Sequence, residues 1–342
     1  MTTRSIVLFS GGLDSILACA ILAGQGLDVL AVMFTSPFFG TQTAERAEDE
    51  KRLMLKRYGI RVEILDITED FLPVLLAPAH GYGRFLNPCV DCRILMLQKA
   101  ARLLEVEGAS FVATGEVMGQ RRLTQRREVL ALVERESGLD GRLLRPLSAL
   151  KLAPTPMEKA GIVDRSRLFA LHGRGRKEQM ALASCLGIRC YPAPSGGCLL
   201  ADAHISGKVR RVLDRWPDLD TNDLRLSPIG MHAFLPDGSW LVLGRNQKEN
   251  DRIRGLAREN DCVVSLTGGS GTIGLWKRIK DPGLCPSVAS IVASRQGGSP
   301  GPTTVLFSGK VLCAVPVPSH HFDSSGLTMN THNSMQRDLH HA

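Results

Sequence analysis

Between Ser5 and Thr114 short apolar runs alternate with longer stretches of helical periodicity. Ser5–Ser10 (SIVLFS), Val29–Phe34 (VLAVMF), Arg61–Ile67 (RVEILDI) and Ser110–Thr114 (SFVAT) read as strands. Ile16–Leu22, Thr43–Tyr58 and Arg93–Glu107 carry helical spacing. Short apolar strands separated by helices predict an α/β fold: a parallel sheet with helices on both faces. Ligands of such sheets bind at the carboxyl ends of the strands. After Asp202 the rhythm is lost. Strand-like pieces such as Trp240–Leu243 alternate with turns there, which predicts a smaller α+β domain.

The length of 342 residues fits two domains at roughly 150 residues each. The pattern divides into a domain over 1–165, a cysteine-bearing connecting segment over 166–205 and a second domain over 206–295. Residues 296–342, rich in Gly, Ser, Pro, Asn and His, read as a flexible tail. A hydrophobic share of 44% and a charged share of 22% exclude a mainly disordered or fibrous chain. No apolar run reaches membrane-spanning length, and MTTRSIVLFSGGLDS has no signal-peptide pattern. The expectation is a cytoplasmic protein with no membrane partner and reduced thiols. Nine cysteines in that setting suggest metal or catalytic roles, not a disulfide framework. A net charge of +8 permits a polyanionic partner.

Ser10-Gly11-Gly12-Leu13-Asp14-Ser15 joins the first strand to its helix. Two glycines allow a tight turn, and the helix N-terminus offers unpaired N–H donors. Together they suit a phosphate or pyrophosphate. Ser10 and Ser15 add hydroxyls, and Asp14 suits a bridging Mg²⁺. No lysine follows the glycines, so the loop is not a Walker A motif. A tight turn with a helix cap is the simpler alternative. The SGGLDS string resembles the PP-loop of the ATP pyrophosphatases. That resemblance implies a Rossmann-like sheet, binding of ATP with Mg²⁺, and cleavage between the α and β phosphates to adenylate a carbonyl oxygen. It also implies adenine recognition by the backbone after the second strand, here Met33 and Phe34.

Asn87-Pro88-Cys89-Val90-Asp91-Cys92 holds a C-x-x-C followed by a helix, and Pro194-Ser195-Gly196-Gly197-Cys198 lies far downstream. A zinc knuckle or unrelated core thiols are alternatives to sulfur chemistry. NPCVDC resembles the cysteine motif of tRNA 2-thiouridylases. Thr114-Gly115-Glu116 with Gly119-Gln120, and Leu144-Arg145-Pro146-Leu147, resemble elements of tRNA 4-thiouridine synthases. Gly173–Gln179 (GRGRKEQ) and PSGGCLLAD at 194–202 resemble later parts of this group. The resemblance covers about residues 5–202. It is to short PP-loop proteins, in which the N-terminal RNA-binding domain of 4-thiouridine synthases is expected to be absent.

The resemblance implies an ATP-dependent tRNA sulfurtransferase, with Gly115 and Gln120 at the nucleotide site and a cysteine desulfurase, sulfur carrier or sulfide as donor. Two sulfur routes fit. Cys89, Cys92 and Cys198 hold a 4Fe–4S cluster with one open iron, or Cys89 and Cys198 act as a persulfide and its resolving thiol. Asp91 is a candidate general acid or base. Rival readings are a PP-loop amidotransferase, ligase or small-molecule sulfurtransferase, and a non-catalytic ATP-switched RNA-binding or sulfur-carrier protein.

Three basic clusters stand out: Arg121, Arg122, Arg126 and Arg127; Arg174, Arg176 and Lys177; and Lys208, Arg210 and Arg211. Charge runs are often solvated faces, but these also suit an RNA phosphate track. Aromatic residues are only 5%, so shape and phosphate recognition is expected over stacking on many bases. Leu243–Asp251 (LGRNQKEND) resembles the core of an NFACT-type RNA-binding domain, which implies RNA contacts at Arg245, Asn246 and Lys248. A hairpin turn is the alternative reading.

Overall fold

The computed structural model describes residues 3–41, 47–192, 197–266, 271–295, 303–308 and 310–314. The chain forms two compact units, Met1–Thr221 and Asn222–Ala342.

Five parallel strands make the sheet of the first unit: β1 (Arg4–Leu8), β2 (Asp28–Thr35), β3 (Arg61–Asp66), β4 (Ala109–Thr114) and β5 (Leu143–Leu144). Their order is β3-β2-β1-β4-β5. The chain runs outward from β1 to β3, then returns to build β4 and β5 on the other side. The crevice between β1 and β4 is therefore the switch point where such sheets bind ligands. The parallel α/β fold expected from the alternating pattern is the fold observed.

Side chains alternate across the sheet, as strand geometry requires. Val7, Ala31, Met33, Phe111 and Ala113 join one core with α1 (Leu13–Ala23). Ile6, Leu8, Val32, Phe34 and Val112 join the other. That second core is closed by α4 (Cys89–Val106), through Ile94, Leu97, Ala100 and Leu104. The remaining major helices of this unit are α2 (Ala47–Tyr58), α3 (Thr68–Leu76), α5 (Arg127–Glu136), α6 (Pro156–Lys159), α7 (Lys177–Cys185) and α8 (Ala203–Arg215).

The unit boundary lies after Thr221 instead of near residue 205. Helix α8 stays with the first unit. Asp202 caps it by accepting from Ile205 N, Ser206 Oγ donates to Leu200 O, and the Arg210 guanidinium stacks 5.2 Å from the Tyr82 ring centroid.

The second unit has six antiparallel strands: β6 (Met231–Phe234), β7 (Trp240–Leu243), β8 (Cys262–Leu266), β9 (Ile273–Lys277), β10 (Thr303–Phe307) and β11 (Lys310–Ala314). Their order is β11-β10-β8-β9-β7-β6. The helices α9 (Thr221–Leu226), α10 (Gln247–Gly255) and α11 (Cys285–Ala293) complete it. Val288, Ile291 and Val292 of α11 pack on Leu241, Val264, Trp276 and Val305. This is the α+β domain expected from the loss of rhythm. Strands β10 and β11 fall inside the stretch read as a flexible tail. The polar composition around them hides the short apolar runs TVLF and VLCA. The five histidines His320, His321, His332, His340 and His341 lie outside the described residues. No described helix is long and apolar enough to cross a membrane.

Candidate functional site

The Gly-rich loop sits at the carboxyl end of β1. Gly11 has a φ of 74°, a conformation that costs a glycine little. Gly12 is the N-cap of α1 and has no side-chain cap; Ser15 N donates to Gly12 O at 3.1 Å, which leaves the N–H groups of Leu13 and Asp14 for a ligand. Ser15 Oγ donates to Gly12 O at 2.8 Å and lies 3.4 Å from Ser10 Oγ. Both serines therefore brace the turn.

The TGE and GQ words pack directly against this loop. At Gly115 an added Cβ would run into the Asp14 carbonyl and come within 2.7 Å of Ser15 N. Gly115 thus lets the end of β4 touch the loop backbone, which is a structural role beside the expected nucleotide contact. Gln120 Nε2 donates to Asp14 Oδ2 at 2.9 Å. Asp14 Oδ1 and Gln120 Oε1 are both buried without a hydrogen-bond partner. Two neighbouring bare oxygens are the donor set a hard divalent cation takes, so these residues fit Mg²⁺. Gln120→Ala is expected to weaken Mg²⁺ binding roughly tenfold, because it removes one of the two oxygens and the amide that holds Asp14. Titrating Mg²⁺ into wild type and variant checks it.

Met33 and Phe34 are buried, at 6% and 5% exposure, and their side chains enter opposite cores. The Met33 side chain reaches the Gly-rich loop, with its Cε 3.7 Å from the place of a Cβ added at Gly11.

The C-x-x-C does not precede the helix: Cys89 and Cys92 lie in the first turn of α4, three apart and so on one face. A helix and the strand that follows it run in opposite directions, so the start of α4 lies at the carboxyl edge of the sheet, as the Gly-rich loop does. Leu199 N donates to Phe38 O at 2.9 Å and ties Cys198 to the loop after β2. Burial raises the pKa of the Cys92 thiol, and Cys198 and Cys89 push it further. Burial lifts Cys198 to about 12, with Cys89 adding to the rise. Cys89 is raised by burial too, against the opposing pull of Arg121 and Arg93.

Three soft sulfur donors from two segments are a set that suits a 4Fe–4S cluster. Among the described residues no three Cys, His, Asp or Glu side chains stand at metal-holding distances. Ala193, Pro194, Ser195 and Gly196 lie outside the described residues.

Asp91 has another occupation. Its carboxylate accepts from His80 N at 3.1 Å and lies 2.9 Å from His80 Nδ1. His80 Nε2 in turn meets Glu136 at 3.4 Å, and the Asp91 hydrogen bond leads the causes that raise the His80 pKa. Asp91 therefore clamps α4 to the preceding loop, a structural role beside the expected acid–base one.

Glu116 carries an unforeseen part. It is 3% exposed and pairs with Arg93 Nε at 3.3 Å and Arg145 Nε at 3.2 Å, while Thr114 Oγ1 donates to it at 3.1 Å. Burial opposes its charge, yet the two guanidinium groups and the hydrogen bonds hold its pKa below the usual carboxylate value. Arg93 thereby stands between the TGE word and the cysteines. The place of Arg93 directly after the C-x-x-C could have marked it in the sequence.

Of the basic residues, Arg121, Arg122, Arg126, Arg174 and Lys177 are exposed and Arg176 is half-buried. In the third cluster Lys208 is buried at 4% exposure, whereas Arg210 is exposed and Arg211 half-buried. In the second unit Arg245 pairs with Glu249, and Asn246 caps α10 by accepting from Glu249 N at 3.0 Å. Lys248 is exposed. The GRN word thus starts a helix, where Asn is a favoured cap. Cys19 is buried, and Cys185 and Cys190 are exposed.

Residues 1–152 match the family model for the thiamine biosynthesis protein ThiI. A tRNA-specific 2-thiouridylase, MnmA, of Bradyrhizobium sp. (strain ORS 278) is 31% identical over 135 residues, which is 35% of this chain and 33% of that protein. A probable tRNA sulfurtransferase of Thermococcus kodakarensis is 27% identical over 162 residues, covering 47% of this chain and 39% of that protein. The structure of a 4-thiouridine synthetase–RNA complex with bound ATP is similar at a TM-score of 0.34 and 20% identity, covering 54% of this chain and 52% of that one. The chain therefore spans about a third of the length of the curated relatives it matches. The family match ends ahead of Cys198 and of the second unit, and within it the chain has its relatives among ThiI-type and tRNA-thiolating proteins.

Proposed function

We propose that the protein is an ATP-dependent tRNA sulfurtransferase. The observation that carries this reading is the place of Cys89 and Cys92 at the sheet edge that also holds the Gly-rich loop, with Cys198 tied to the loop after β2 by the Leu199–Phe38 hydrogen bond. Similarity of the N-terminal region to tRNA-thiolating proteins supports it.

In this reading Gly11, Gly12 and the start of α1 hold the ATP phosphates, with Ser10 and Ser15 bracing the turn. Asp14, held by Gln120, would hold a Mg²⁺ ion, which when bound would supply charge neutralisation at the phosphates. The uridine carbonyl oxygen attacks the α-phosphorus, and the bond to the β-phosphate oxygen breaks to release pyrophosphate. Sulfur then attacks the activated ring carbon, and AMP leaves with the former carbonyl oxygen. A poor leaving group is so replaced by a good one. A 4Fe–4S cluster bound by Cys89, Cys92 and Cys198 would supply sulfur from an iron that no protein side chain fills. Arg121, Arg122, Arg126, Arg174 and Lys177 offer an exposed positive track for the RNA backbone, and Arg176 stands half-buried beside it. A desulfurase, sulfur carrier or sulfide replenishes the sulfur. Asn246 and Arg245 serve the fold of the second unit first, and any RNA contact there is secondary to that.

Mass spectrometry of bulk tRNA nucleosides from a deletion strain tests the reading. Loss of one thionucleoside, restored by the wild-type gene, is the expected result and identifies the modified atom. An unchanged thionucleoside profile overturns it.

A further inference from the structure

We propose that Phe85 is a stacking platform for an unpaired RNA base at the rim of the cysteine site. The proposal rests on the tRNA reading above and adds a residue that reading does not use.

The loop from Gly81 to Pro88 leads straight into Cys89, and it is tightly built. Gly83 N donates to Asn87 O at 2.8 Å, and Asn87 N donates to Arg84 O at 3.2 Å. Leu86 and Asn87 are buried, at 2% and 8% exposure. Between these anchors Phe85 adopts a φ of 56°. A left-handed backbone is costly for a bulky residue, and strain of this kind clusters at functional positions. The usual compensation would be burial of the ring. Here the Phe85 side chain is 46% exposed. The fold thus holds an aromatic ring partly out in solvent by a strained turn, four residues ahead of Cys89.

The surroundings select the partner. The Arg84 guanidinium sits 5.2 Å from the Phe85 ring centroid, which supplies a positive charge beside a flat apolar face. An added Cβ at Gly83 would lie 3.1 Å from Leu123 Cδ1, so the loop touches the segment that carries Arg121, Arg122 and Arg126. Arg121 also acts on the Cys89 thiol. Neither Gly81–Pro88 nor Gln120–Arg127 contains an acidic residue. A flat ring flanked by arginines fits a partner that alternates planar rings with negative charge, which is single-stranded nucleic acid. The chemistry also needs such a residue. A base carbonyl in a stacked helix is out of reach until the base leaves the stack, and the extruded base needs a new surface.

The full-length protein is irradiated with a short single-stranded oligouridylate containing 5-iodouridine, and the cross-link is mapped by mass spectrometry. The same chain is titrated with unfractionated tRNA. The cross-link is expected at Phe85. Phe85→Leu is expected to remove it and weaken RNA binding roughly tenfold, the size of one lost base–aromatic stack, while Phe85→Trp keeps binding. Phe85→Gly guards against a folding artefact. It relieves the positive φ, so its melting temperature is expected to stay at or above that of the wild type, while its RNA affinity falls with that of Phe85→Leu. Wild-type RNA binding with unaltered affinity in Phe85→Leu and Phe85→Gly overturns the stacking role alone. No RNA binding by the wild-type chain overturns this proposal together with the tRNA reading.

Discussion

Cys92→Ser is expected to lower the rate of sulfur transfer to tRNA by at least ~100-fold, the scale of loss when a reacting group is removed. The variant separates the two sulfur routes. Cys92 is buried, its thiol is driven towards the neutral form, and it stands one helical turn from Cys89. In a persulfide route Cys89 and Cys198 attack and resolve, and the buried third thiol has no step to perform. In a cluster route Cys92 is one of three sulfur ligands, and a serine hydroxyl is a poor substitute for a thiolate on iron. The cluster reading therefore expects Cys89→Ser, Cys92→Ser and Cys198→Ser to fall together, with iron and labile sulfide lost from anaerobically purified protein in all three. Full activity in Cys92→Ser, with loss in the other two, establishes the persulfide route in its place. Thermal melts of each variant separate either result from misfolding.

The parallel sheet was legible in the sequence because β1, β2 and β4 are buried on both faces, and such strands read as short apolar runs. Strand β5 was not, since two residues, Leu143–Leu144, carry no period. Helix α3 escaped notice because Pro73 interrupts its pattern. The start of α4 was placed too late, because Pro88-Cys89 looks like a loop although proline before a helix is a normal entry. Among site residues, SGGLDS and the cysteines announced themselves by type. The partners of Asp14 and Asp91 did not. That Gln120 reaches Asp14 across the β1–β4 crevice, and that His80 reaches Asp91, are facts of tertiary geometry with no local signature. Phe85 was hidden for a different reason: a lone phenylalanine reads as core, and only its φ and exposure mark it otherwise.

Glu116→Gln is expected to destabilise the protein by about 3–5 kcal/mol at neutral pH, the cost of removing one partner from a buried ion pair. Two guanidinium groups depend on that carboxylate. Arg145 keeps Glu134 at 2.8 Å and the Leu130 carbonyl at 3.0 Å, so it retains most of its partners. Arg93 pairs with Glu116 as its one ion pair among the described residues, and its charge acts on the Cys89 thiol. The pH dependence follows from the depressed Glu116 pKa. A carboxylate with a lower pKa folded than unfolded contributes stability that is fully present above the unfolded value, about 4.5. It is lost as pH falls through the folded value. The wild type is therefore expected to lose stability progressively below about pH 4.5, and Glu116→Gln to lack that component of the acid slope. Urea unfolding at a series of pH values measures both. Parallel acid slopes in the two proteins would show that Glu116 is not the charge that holds Arg93 and Arg145. Because Arg93 also favours a charged Cys89, the variant is expected to weaken thiolation more than its melting temperature alone accounts for. The excess of rate loss over stability loss is then the measure of how firmly the TGE word holds the sulfur site.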